Sequence, residues 1–245
     1  MRFFDCNCAL GIPGMQGFRF ARTSAELLEE MDYCGLDQAL VYHTAMRYDS
    51  PEVGNRLIQE ELEPNPRLVP TWAITPSQTE ELPAPETFLA QMKAHNIRAL
   101  RVFPDEHQYA LDERTMGDWL AMMEEKRIPL LAKTSCLKIA NAMDPFPNLI
   151  VIAMAQGPHS LERHLRPIVE RYPNFYLDTA SYMVDGLIER FCQRYGSSRL
   201  LFGSGYPDNC SGSALLRLVQ ADISDEDREA IAGGNLTRIL EGVQL

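Results

Sequence analysis

Long apolar runs are missing from this chain. The longest, Leu149 to Ala155, has seven residues, far short of the roughly 20 that a bilayer-spanning helix needs. A basic excess is missing too. Lys and Arg number 23 against 34 Asp and Glu, a formal charge of −11. Neither nucleic acid nor an anionic membrane is therefore expected as a partner, since both call for a basic surface. Cysteines are sparse, six in 245 residues, at 6, 8, 34, 136, 192 and 210. That density does not suit a disulfide scaffold and predicts free thiols in a cytoplasmic protein. Asp5 and Asn7 interrupt any signal-like apolar core in the opening MRFFDCNCALG, in line with that expectation. No Gly/Ser linker, charge block or low-complexity segment divides the chain, so one domain spanning 1–245 is expected.

What is present is a cadence. Short apolar or β-branched runs alternate with longer amphipathic stretches. The runs are MRFFDCNCA, DQALVYHT, RLVPTWAIT, IRALRVFP, IPLLAKTS, LIVIAMAQ, NFYLDTAS and RLLFGSGY. Eight runs in 245 residues give about 31 residues per unit, the size of one strand-plus-helix step. Most are apolar on both faces, as parallel strands between a barrel interior and a helix layer should be. Helix starts are marked between them. Thr23 opens a capping box with Glu26. Ser50 followed by Pro51 is an N-cap with proline in the first helical position. Later helices are expected after Ser160, Met183 and Ser211, and near Ser224 and Asn235. The stretch 75–87, TPSQTEELPAPET, reads as a long strand-to-helix loop. The pattern predicts an α/β fold, a single (β/α)8 TIM barrel, slightly distorted at most. An open doubly wound sheet is the alternative, disfavoured because no G-x-G-x-x-G turn follows the first run.

In such a barrel the chemistry sits at the C-terminal ends of the strands. The residues there are Asn7 and Ala9, His43, Trp72, Arg101, Lys133, Gln156, Asp178, Ser181 and the segment Ser204 to Asp208. Polar groups ending apolar runs need partners, because burying them unpaired is costly.

Several of these places resemble the amidohydrolase superfamily, in its amidohydrolase-related, metal-dependent branch. Asp5-Cys6-Asn7-Cys8-Ala9-Leu10-Gly11 is similar to that family's opening D-x-H-x-H-x-G strand. Pro129 to Thr134 resembles its P-x-x-x-H-T strand, and Pro147-Asn148-Leu149 through Gly157 its P-N-L…H-x-G strand. Leu201 to Pro207, LFGSGYP, resembles F-G-S-D-Y-P, and Asn235 to Leu240 its closing helix. The resemblance implies a barrel whose first, fifth, sixth and eighth strands carry metal ligands or the residue that activates water. Those positions here hold Asn7, Ala9, Lys133, Ala155 and Gly205. Ala and Gly have no donor, Lys carries a positive charge, and a catalytic zinc takes about three Cys, His, Asp or Glu ligands. No metal and no cofactor is expected.

Lys133 invites three readings: a charge paired with Asp5 or Asp178 where the ion would sit, an anion anchor helped by Arg101, or a reactive amine. His43, Asp178 and Asp208 are the candidate bases, Asp208 as a displaced substitute for the missing aspartate. His107 and His159 lie in or near loops that could approach the mouth. Asn7, Arg101, Trp72, Gln156 and Tyr206 are the candidate substrate contacts, with Phe103 and Tyr182 as further aromatic walls. With Asn7 and Ala9 facing inward, Cys6 and Cys8 would both face the helix layer. GIPGMQGFRF, residues 11–20, is a candidate lid. The expected partner is a small, anionic molecule; a homo-oligomer fits as well. Three functions stand side by side: a metal-independent lactone or ester hydrolase, a degenerate barrel that binds or supports, and a metal hydrolase with displaced ligands.

Overall fold

The computed structural model describes residues 1–14, 19–62, 65–154, 156, 161–182 and 184–245. Ala155, Gly157, His159, Ser160, Met183 and the segment 15–18 of the candidate lid lie outside the described residues.

The strands are β1 Phe4–Leu10, β2 Gln38–His43, β3 Leu68–Pro70, β4 Trp72–Ala73, β5 Leu100–Val102, β6 Leu130–Ala132, β7 Val151–Ala153, β8 Phe175–Asp178 and β9 Leu200–Leu201. The helices are α1 Ser24–Cys34, α2 Ala45–Tyr48, α3 Pro51–Glu61, α4 Pro85–Ala94, α5 Glu113–Lys126, α6 Cys136–Met143, α7 Leu161–Arg171, α8 Leu187–Tyr195, α9 Ser211–Gln220, α10 Asp225–Glu229 and α11 Asn235–Glu241. A π-helical turn, Ala230–Gly234, joins the last two. All strand pairs are parallel, in the order β1-β2-β3 and β4 to β9. The third predicted run is thus one stave in two pieces, divided at Thr71 after Pro70, which has no N–H to give to a ladder. Thr71 N still donates to Val41 O at 2.9 Å. The circle closes between the first and last strands, where Cys6 N donates to Phe202 O and Gly205 N to Asn7 O, both at 2.9 Å. The fold is a (β/α)8 barrel.

Local signals explain the helices. The Thr23 hydroxyl accepts from Glu26 N, Ser50 from Val53 N and Ser224 from Asp227 N. The Glu26 carboxylate reaches back to Arg22 N at 2.7 Å, one residue earlier than the usual capping box. The helix expected after Ser211 begins on Ser211 itself, with Cys210 at its N-cap. Among the described residues no helix is long and apolar enough to cross a membrane.

Alternation along each strand separates two cores. Leu40, Ala99, Leu131, Ile152, Tyr176 and Leu201 fill the barrel interior. Their neighbours Val41, Leu100, Leu130, Val151, Leu177 and Leu200 face the helices. In β1 the pairing register shifts between Asp5 and Cys8, as at a β-bulge, and strict alternation fails. Cys6 therefore packs in the interior while Cys8 joins the helix-side core. The expectation that both thiols face outward is corrected on that ground.

Candidate active site

The interior parity brings Arg101 into the middle of the barrel, one layer above Ala99. Its guanidinium is buried. Arg101 Nε donates to Thr71 Oγ1 at 2.8 Å, and Nη2 to Cys6 O at 3.1 Å and Leu40 O at 3.4 Å. Its face lies over the Tyr42 ring, 4.5 Å from the centroid, a cation–π contact in a desolvated place. Burial lowers the Arg101 pKa, and Asp178 and Asp5 oppose that shift.

Those two carboxylates sit beside it. Asp5 Oδ1 accepts from Asn7 N at 2.8 Å and Ser204 N at 2.9 Å, whereas Asp5 Oδ2 is buried with no hydrogen-bond partner among the described residues. Burial raises the Asp5 carboxyl above its ordinary range, against the pull of its hydrogen bonds and of Arg101. Asp178 Oδ2 accepts from Asn7 Nδ2 at 2.8 Å, and Oδ1 from Ala180 N at 2.7 Å. The carboxylate leans over Gly203, where a Cβ would fall 1.9 Å from Asp178 Oδ1.

Above Arg101 a cavity of about 180 Å³ opens at the C-terminal ends of the strands. Its polar lining is Asn7, Arg101, Lys133, Ser181, Asp208 and Asn209. Its apolar lining is Tyr42, Phe103, Leu131 and Met154, interleaved with the polar residues around the ring of strands. The Tyr42 and Phe103 rings stand 5.6 Å apart. Burial pushes the Tyr42 phenol up to about 12. Lys133 Nζ donates to Asp208 Oδ2 at 3.2 Å, and Arg47 Nη1, from α2, meets the same oxygen at 2.8 Å. Burial lowers the Lys133 pKa, Arg47 lowers it further, and Asp208 opposes both.

Of the residues expected from sequence, Asn7, Arg101, Lys133 and Asp208 meet at this cavity, and Asp178 stands behind Asn7. Several others do not line it, Tyr182 among them, which borders a different pocket beside α8. Trp72 is on the helix-facing side of its stave, since Thr71 takes the inward position; its ring packs on Phe88 at 5.1 Å and His95 at 5.6 Å. His43 also faces outward, because Tyr42 holds the inward position; its Nδ1 accepts from Ala45 N at 3.1 Å, and burial lowers its pKa against Glu61. Gln156 is buried and spent on the backbone, donating to Thr134 O at 2.6 Å and Met154 O at 3.1 Å. Tyr206 pairs with Cys8 through the backbone at the closing seam, and burial raises its phenol. Ala9 joins the helix-side core. Lys133 pairs with Asp208, not with Asp5 or Asp178; the cation beside those two is Arg101.

Tyr42, Arg47, Glu106 and Asn209 were missed. Strand parity would have found Tyr42. Asn209 has no sequence signal. Gly205 has φ +69°, and a Cβ there would fall 2.6 Å from Asn209 Nδ2. The volume of a side chain at 205 is thus taken by Asn209, while Asp208 points to the cations.

A parallel eight-stave barrel with a polar cavity at the strand C-termini defines the α/β barrel class. The chain belongs to the amidohydrolase family, whose model matches residues 26–241, a hydrolase- and lyase-like family. No curated protein sequence matches it significantly. Among solved structures it is similar to an uncharacterized TIM-barrel protein of Bordetella bronchiseptica, at 18% identity and TM-score 0.76 over 99% of both chains. It is similar to 2,6-dihydroxybenzoate decarboxylase from Rhizobium, at 16% identity and TM-score 0.75 over 98% of both. It is also similar to a Pseudomonas putida protein proposed to be a 2-pyrone-4,6-dicarboxylic acid hydrolase, at 13% identity and TM-score 0.74 over 98% of both.

The family resemblance implies a divalent metal, and the described side chains at the cavity do not fit one. Arg101 and Lys133 would repel it, and the Asn7 amide nitrogen is turned to Asp178. Among the described residues no group of three or more His, Cys, Asp or Glu is arranged to hold an ion, and a zinc site needs such a set.

Proposed function

We propose that this protein is a metal-independent hydrolase of a small anionic lactone or ester. The observation that carries this reading is the convergence of Arg101, Lys133 and Asp208 on one cavity at the catalytic end of the barrel. Fixed cations in a half-buried site can hold a substrate carboxylate and stabilise a developing oxyanion, which is often the largest single contribution to such a reaction. Lys133 holds the carboxylate and Arg101, from below, polarises the carbonyl. Asp208 takes a proton from water as its oxygen adds to the acyl carbon. The tetrahedral adduct collapses by breaking the acyl C–O bond, and Asp208 returns the proton to the leaving oxygen. The P. putida structure supports a lactone, by the pyrone in its proposed substrate.

The test is product formation from a panel of carboxylated lactones and aryl esters, with chelator-treated protein. Turnover that survives chelation, with kcat/KM at least about tenfold lower in Lys133→Met, in line with the loss of one hydrogen bond to the charged substrate carboxylate, is the expected result. Turnover only after adding a divalent metal would overturn the metal-independent reading.

A second reading, a non-catalytic binding protein, is favoured by one feature. Arg101, Lys133 and Asn7 are already hydrogen-bonded within the protein. Tight binding across the panel without turnover would select it.

A further inference from the structure

One oxygen, Asp208 Oδ2, bridges two cations from different parts of the barrel: Lys133 Nζ at 3.2 Å and Arg47 Nη1 at 2.8 Å. The three members are unequally held. Arg47 is fixed from its other side by Glu106, Nε to Oε1 at 2.6 Å, and lies over the Tyr48 ring at 4.7 Å. Its carbonyl meets His107 Nε2 at 3.2 Å. Lys133 is carried by strand backbone, with its N–H on Val102 O at 3.2 Å. Asp208 is the outlier. Its side chain is 45% exposed, against 14% for Arg47 and 23% for Lys133. It sits on the loop after the last strand and borders the cavity. Two covered cations, of which Lys133 lines the cavity and Arg47 stands behind Asp208, therefore meet at one exposed carboxylate.

We propose that Arg47 and Lys133 form a carboxylate subsite that Asp208 fills in the ligand-free protein, and that the carboxylate of an incoming small acid displaces Asp208 from it. Glu106 keeps Arg47 in place during the exchange, so the subsite outlasts the departure of its internal occupant. The apolar lining residues Tyr42, Phe103, Leu131 and Met154 receive the body of the acid. Neither the sequence pattern nor the family resemblance marks Arg47. The exchange itself requires no turnover. Its consequence for catalysis rests on the hydrolase reading: Asp208, no longer held by two cations, is free to meet the attacking water only when a substrate carboxylate has taken its place. The same site then admits acids and withholds its base from neutral esters.

A tethered competitor reduces apparent affinity by the fraction of time the subsite is open. Occupancy above nine-tenths by Asp208 means that removing it tightens binding at least about tenfold. The experiment is calorimetric titration of the full chain at constant ionic strength, with benzoate as the acid and benzamide as its neutral counterpart. Asp208→Asn is expected to bind benzoate at least about tenfold tighter than the unaltered protein, by that relation. Arg47→Gln and Glu106→Gln are expected to weaken it, with benzamide unmoved throughout. Benzoate affinity in Asp208→Asn that is unchanged or lower overturns the proposal. Should that variant not fold, the 13C carboxyl resonance of Asp208 in the unaltered protein decides. A shift with saturating benzoate and none with benzamide supports exchange; no shift overturns it. Absence of turnover across the lactone panel defeats the hydrolase reading alone, since these measurements read binding. Turnover with no benzoate effect defeats the exchange alone.

Discussion

The Asn7 amide donates to the Asp178 carboxylate at 2.8 Å, tying β1 to β8 at the C-terminal ends of the strands. Asp178 is almost wholly buried, 1% exposed, so its ionised form depends on such donors. Asn7→Ala should lower stability by about 1.5–3 kcal/mol, the range for hydrogen bonds to charged groups. Urea denaturation at neutral pH measures it, and a loss within error of zero would show the contact to be idle.

Arg101 supplies the interior charge. Removing one member of a buried charge set leaves the others uncompensated, at a cost of about 3–5 kcal/mol. Arg101→Met is expected to fall in that range. Arg101→Lys should recover only part of it, because an ammonium cannot span Thr71 Oγ1, Cys6 O and Leu40 O as the fork does. Equal stability of the Lys variant and the unaltered protein would contradict this account.

Gly205→Asp restores the residue type of the family pattern at a backbone of φ +69°. It should destabilise by about 1–3 kcal/mol from the strained conformation, and more through collision with Asn209. Asn209→Gly in the same chain should relieve the collision. A double-mutant cycle with no favourable coupling would disprove the steric link.

His43 imposes a pH dependence. Its pKa is lowered by burial, and Nδ1 must stay unprotonated to accept from Ala45 N. Between the lowered value and the ordinary 6.5, the unfolded chain binds more protons than the folded one. Stability therefore rises with pH through that window and is lost as pH falls below 6.5. His43→Gln should flatten this slope in urea midpoints taken from pH 8 to pH 5; an unaltered slope would assign it to other groups.

Tyr42→Ala should weaken benzoate binding several-fold, whereas Trp72→Phe should leave it within about twofold and lower the thermal midpoint instead. Tyr42 lies against Arg101 and the cavity, and Trp72 packs among Phe88 and His95. Aromatic packing of this kind contributes about 0.5–1.5 kcal/mol beyond area burial. A weakened benzoate affinity in Trp72→Phe would place that ring in the site after all.

The eight runs were legible because strands covered on both faces must be apolar, and the caps because Thr23, Ser50 and Ser224 carry their own acceptors. Lys133 and Arg101 were legible as polar ends of apolar runs. Which face each end presents was harder. His43 is the more conspicuous chemistry, yet Tyr42 has the inward parity, and one residue of offset separates the cavity from the helix layer. Trp72 failed for the same reason. The bulge in β1 broke the alternation used for Cys6 and Cys8. Arg47 and Glu106 were invisible because one lies on the short helix α2 and the other in the turn after β5, and they meet only through the closed barrel.

Gly205 and Asn209 share the volume of a single side chain. With no side chain at 205, the loop packs inward, and Asp208 beside Asn209 reaches both cations. Any larger residue at 205 meets an occupied volume, so one substitution there must displace Asn209 or strain the loop. Placing a side chain at 205 without disturbing the mouth therefore takes two substitutions at once.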